Sequence, residues 1–128
     1  NGVDSSRVAM LLAVLERRAG IKLSDKDVYV STVGGVRLNE PGADLAIAIA
    51  VASAFHDKPI AHTVAAFGEI SLAGEIRPVN GGKQRDAEAT RLGFTTRIDQ
   101  SAGNLRTALK AAFDTAKDAR EREIDAAF

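Results

Sequence analysis

The run Leu45 to Ala52 reads Leu-Ala-Ile-Ala-Ile-Ala-Val-Ala, apolar at every position. Read as a helix from Ala43 onward, it is apolar on almost every face, and such a helix belongs inside a domain, covered from several sides. It is too short and too rich in alanine to span a membrane. Asn39, Glu40 and Pro41 form the turn before it, with proline suited to a first helical turn. His56-Asp57-Lys58-Pro59 ends it, because the residue before a proline is steered away from helical angles. Upstream, Asp27 to Val33 alternates apolar and polar positions, with β-branched Val28, Val30 and Val33, and predicts a half-buried strand. Gly34 and Gly35 then provide a tight turn. A strand feeding a loop at the start of a buried helix is where many α/β enzymes place a nucleophile or an anion site. Here the tip carries glycine and alanine, and no nucleophile.

A chain of 128 residues fits one domain, large enough to bury roughly two thirds of its unfolded surface. With 45% hydrophobic and 27% charged residues it is expected to be globular. Five Phe, one Tyr and no Trp leave the core to Val, Ile, Leu and Ala. Seventeen basic residues balance seventeen acidic ones, so no global charge draws the chain to nucleic acid or to an anionic membrane. The absence of cysteine removes disulfides, thiolate metal sites and cysteine nucleophiles. The first residue is Asn and no signal-like segment follows, which is read as a piece of a longer cytosolic protein.

Along the chain, Asp4 or Ser5 caps a helix running to about Arg18, stopped by Gly20, with Val8, Leu11, Leu12, Leu15 and Ala19 facing inward. Residues 63–79 are expected to hold two short strands, Val64–Phe67 and a second around Ile76 to Val79. Asn80-Gly81-Gly82 leads into an amphipathic helix of about Lys83 to Leu92 capped by Gly93, followed by a strand from Phe94 to Ile98. A last helix covers Asn104 to about Ala119, burying Leu105, Leu109, Ala112, Phe113 and Ala116, and a charged tail is expected to fray. This alternation favours a two-layer α/β or α+β domain.

Gly34-Gly35 and Gly81-Gly82 match neither phosphate-loop pattern and are read as turns. His56 and His62 flank a proline break at no recognised zinc spacing, so no metal is assigned. None of the serines has a glycine elbow around it. Lys83 is different: it opens a helix after a glycine turn, where a positive dipole end and partial burial both lower a lysine pKa and would suit a general base. The alternative is an ordinary solvated lysine.

Three stretches together resemble the proteolytic domain of the Lon proteases, and in particular the Lon-like C-terminal domain of the RadA (Sms) family of bacterial DNA-repair proteins. Glu40-Pro41-Gly42-Ala43-Asp44 stands where Lon enzymes have G-P-S-A-G. Phe67-Gly68-Glu69-Ile70-Ser71-Leu72-Ala73-Gly74 resembles T-G-E-[IV]-[ST]-L-x-G, and Pro78-Val79-Asn80-Gly81-Gly82-Lys83-Gln84-Arg85 resembles P-[IV]-G-G-[LV]-K-E-K. The order is kept from about Asp27 to Ile98. The opening residues to Gly20 and the stretch Asp27–Ala46 look like RadA in particular. The departures are chemical: Gly42 stands at the nucleophilic serine, Phe67 at a threonine beside the dyad, and Asp44 at the second glycine.

The resemblance implies a fold like domain 2 of ribosomal protein S5. It also implies a vestigial dyad at Gly42 and Lys83, because a base without a nucleophile forms no acyl-enzyme. An acid at Asp44 or Glu40, if close, would further hold Lys83 protonated. The family pattern divides the chain into a helix at 1–20 leading in from an ATPase domain, a Lon-like domain at 21–120 and a charged tail at 121–128. It implies a cytoplasmic, ring-forming homo-oligomer, a hexamer in the full-length protein. ATP, Mg and Zn are expected only in domains outside this chain. Single-stranded or branched DNA is the expected partner, with recombination proteins also possible and no membrane. Arg77, Lys83, Arg85, Arg91 and Arg97 are the candidates to face DNA, against the alternative of an ordinary mixed-charge surface interleaved with Asp86 and Glu88.

Overall fold

A computed structural model describes residues 2–32 and 39–127, with side chains described through Thr115 and at Ile124. Helix α1 spans Ser5–Ala19. The Asp4 carboxylate accepts from the Ser6 amide, and Gly20 ends the helix at φ 69°, a left-handed position that glycine adopts without strain. A 3-10 turn at Pro41–Ala43 runs into α2, Asp44–His56. Strands β1 (Val64–Ala66), β2 (Glu69–Ile70) and β3 (Ile76–Arg77) are followed by α3 (Gly82–Arg91), β4 (Thr96–Ile98) and α4 (Leu105–Ala127).

Helices α1, α2 and α4 pack together, and α2 also meets β1 and β2. Leu11, Val14, Leu15, Leu45, Ala48, Ala52, Ile70, Leu105, Ala108 and Ala112 form the centre of a single apolar cluster. The alanines at 48, 52, 108 and 112 are wholly buried, and their small side chains let helix backbones approach closely. The first helix is therefore part of the core, contributing Leu11, Val14 and Leu15 to it. Strand β1 pairs in parallel with β4, Val64 opposite Thr96 and Ala66 opposite Ile98, with α3 lying in the crossover. Strands β2 and β3 form a short antiparallel pair, Ile70 opposite Ile76.

Three expectations need correction. Residues 27–32 carry no strand, although Val28 and Val30 pack on the core while Tyr29 is 91% exposed. Alternation decides which side chains turn inward; a strand also needs a backbone partner, which the pattern does not specify. Val33 and the Gly34-Gly35 turn lie outside the described residues. The region 63–79 holds three short strands instead of two, because Gly68 separates β1 from β2. The final helix runs on to Ala127, so the tail is helical.

Candidate functional site

The turn at Pro41–Ala43, the segment around Gly68 and the start of α3 converge on Gly42. The Gly68 amide donates to the Gly42 carbonyl at 3.0 Å, and the Leu45 amide donates to the Gly68 carbonyl at 3.1 Å. A Cβ on Gly68 would lie 2.6 Å from Ile76 Cγ2, so this close approach requires glycine. Phe67, beside it, is buried.

Gly42 is itself buried, and no left-handed backbone angle explains it. Space does. A Cβ there would sit 3.2 Å from both Arg85 Nη1 and Val79 Cγ1, and 3.5 Å from Arg85 Cζ. Arg85 is fixed in that place from two sides: Nη2 donates to Glu40 Oε2 at 2.7 Å and Nε to the Asn80 carbonyl at 3.2 Å. The Arg85 hydrogen bond holds the Glu40 carboxyl below its usual range, and the same bond raises the Arg85 guanidinium. The volume that a residue-42 side chain would enter is thus bordered by a guanidinium, which stays protonated and cannot act as a base.

Lys83 lies one residue into α3 and is exposed. It lines a cleft of about 590 Å³ with Phe67, Pro78, Val79, Gly82, Asp86, Asp99 and Gln100; Gly42 is not among the lining residues. The acids suggested as neighbours of Lys83 are engaged elsewhere. Glu40 pairs with Arg85. Asp44, wholly buried, receives Arg7 Nε and Nη2 at 2.6 Å each and the Ile70 amide at 3.0 Å. Sequence reading missed this pair and the filling role of Arg85. The available signal was Asp44 itself: a carboxylate at the head of an all-apolar helix needs a buried counter-charge.

The five basic candidates divide. Arg85 is paired with Glu40, Arg91 Nε donates to Glu88 Oε2 at 2.9 Å, and Arg97 Nε donates to Asp86 Oδ1 at 2.6 Å. Among the described residues, Arg77 and Lys83 form no ion pair, and Arg77 is exposed in β3 opposite Glu69. His56 packs edge-on against Phe55 and Phe113, with centroids at 5.1 and 5.7 Å. No described helix is long and apolar enough to cross a membrane.

Residues 8–106 match the family of the Lon protease (S16) C-terminal proteolytic domain. The chain is 46% identical over 101 residues to the DNA repair protein RadA of Salmonella typhimurium, covering 79% of this chain and 22% of that protein. It is 52% identical over 95 residues to the DNA repair protein RadA of Mycobacterium tuberculosis, covering 74% and 20%. The RadA protein of Streptococcus pneumoniae is 49% identical over 94 residues, covering 73% and 22%. The chain spans about a fifth of the length of these curated relatives. The matched residues run from α1 into the start of α4 and include all three motif stretches, so this chain belongs to the family of Lon protease (S16) C-terminal proteolytic domains, in a form similar to that of RadA.

Proposed function

We propose that this chain is the Lon-like domain of a RadA-type DNA-repair protein, without Ser-Lys peptidase activity, serving subunit assembly together with a DNA-facing surface. The observation that supports the loss of peptidase activity is the filled space beside Gly42, while subunit assembly and the DNA-facing surface rest on the resemblance to RadA. Arg85 and Val79 border the volume a nucleophile would need, and Arg85 is anchored there by Glu40 and Asn80. Lys83 has no hydroxyl to activate at that position. By the resemblance, the assembled form is a cytoplasmic homo-oligomeric ring, a hexamer in the full-length protein. ATP, Mg and Zn would then be held by other parts of such a protein.

The DNA-facing role narrows to Arg77 and Lys83, which form no ion pair among the described residues, although Arg77 lies opposite Glu69 and Lys83 shares its cleft with Asp86 and Asp99. Arg85, Arg91 and Arg97 would have to leave a carboxylate before meeting a phosphate. The test is fluorescence anisotropy with labelled single-stranded DNA at two salt concentrations, with light scattering on the same sample. Binding is expected to weaken with salt as counterions are released. Arg77→Ala and Lys83→Ala should each reduce the salt slope by about one, while Arg91→Ala should leave it unchanged. Absence of binding by a sample that forms a ring would replace this reading with an assembly scaffold that makes no DNA contact.

A further inference from the structure

Asp44 is the one charged residue wholly buried among the described residues. Its carboxylate gathers three segments distant in sequence: α1 through Arg7, the head of α2 through its own backbone, and β2 through the Ile70 amide. Both oxygens take an Arg7 nitrogen at 2.6 Å, the two-pronged geometry that guanidinium and carboxylate planes favour. The Arg7 side chain is 26% exposed, and its Nη2 also lies 3.7 Å from Glu69 Oε1. The hydrogen bond to Asp44 is the main cause raising the Arg7 guanidinium above its ordinary value. Directly beside this pair, Gly42 and Leu45 exchange backbone hydrogen bonds with Gly68. The carboxylate and the Gly42 turn therefore share one seam with the residues leading into β2.

A buried ion pair contributes little net stability over a well-packed apolar pair, but losing one partner leaves an uncompensated charge and is strongly destabilising. Such a pair is poor glue and a good link. We infer that Arg7 and Asp44 form a coupling latch between α1 and the Gly42 turn. When α1 leaves its seat, the Asp44 carboxylate is stranded, and the turn and β2 must open in the same event. This inference goes beyond the function proposed above and holds with or without DNA binding. A partner that pulls on α1 is thereby felt at the turn that occupies the place of the Lon nucleophile.

The test is amide hydrogen exchange by NMR on the whole chain. Arg7→Met keeps the aliphatic stem and removes the charge; it should speed exchange at Leu45, Gly68 and Ile70 by about a hundredfold or more, together with the α1 amides. Adding Asp44→Asn removes the stranded charge and keeps an oxygen for the Ile70 amide, so the double variant should recover most protection at Leu45 and Gly68. Should Arg7→Met fail to fold, Arg7→Lys retains charge without the two-pronged geometry, and the same three amides should show a smaller rise. Faster exchange confined to α1, with wild-type protection at Leu45, Gly68 and Ile70, overturns the latch. So does a double variant that exchanges as fast as Arg7→Met, because the loss would then come from packing and not from a stranded charge.

Discussion

Replacing Gly42 with serine restores the residue type that Lon enzymes carry, and the structure sets the expected outcome. The new Cβ meets Arg85 Nη1 and Val79 Cγ1 at 3.2 Å, closer than ordinary van der Waals contact, so one neighbour must give by a few tenths of an ångström. Arg85 is the more movable, with a side chain 33% exposed, but it swings out only by leaving Glu40 and Asn80. An exposed pair of this kind is worth about 0–1 kcal/mol. Overpacking a buried position costs about 1–3 kcal/mol, and a loss near 2 kcal/mol is the central expectation. For a domain of this size that corresponds to a fall in Tm of about 5–10 °C. Thermal unfolding of wild type, Gly42→Ser and Gly42→Ser/Arg85→Ala measures it, and the double variant should recover part of the loss because the guanidinium is gone. Fluorogenic unstructured peptides incubated with the same samples should remain intact, since the hydroxyl would face a guanidinium and no base. A Gly42→Ser protein melting within a degree of wild type would show that the space is not filled as argued. Robust serine-dependent hydrolysis would refute the claim that the site is dismantled beyond its nucleophile.

Two further outcomes follow from the same seam. Gly68→Ala drives a methyl to 2.6 Å from Ile76 Cγ2 and should destabilise the fold by about 3 kcal/mol. Adding Ile76→Ala should cost less than the sum of the single variants, because the two positions are in contact; strict additivity in urea unfolding would count against the clash. The carboxyl of Glu40 is held below its ordinary value of 4.5 by Arg85, so its contribution is present above that pH and is lost as pH falls through the lowered value. Glu40 is 52% exposed, so the difference between wild type and Glu40→Gln should be below about 1 kcal/mol at pH 7. Unfolding at pH 7 and at pH 3 should show that difference shrink; a constant difference would mean that charge is not its source.

The elements legible in the sequence are those whose ends are set by neighbouring residues. Asp4 and Gly20 bound α1 because a cap works through its own side chain or its own φ angle, within one turn. The head of α2 follows from Pro41, and its burial from a run with no polar face. Gly93, at φ 95°, closes the α3 turn for the same local reason. The strand expected over Asp27 to Val33, absent from its described residues 27–32, and the missed β2 fall on the other side of this line. Each requires a backbone partner, and the pairing of β1 with β4 spans the whole of α3.

The site divides in the same way. Sequence alone determined that no hydroxyl stands at residue 42 and that Lys83 opens a helix, because both are matters of residue identity and local turn chemistry. Only the tertiary structure decided that the vacated space is bordered by Arg85 and Val79, and that Glu40 holds Arg85 there across 45 positions of sequence. It also decided that Asp44 answers to Arg7 across 37 positions and not to Lys83. A carboxylate can be satisfied by any cation that packing brings within reach, so its partner is set by how the helices dock. Local sequence carries no trace of that choice beyond the presence of a charge where the surrounding pattern is apolar.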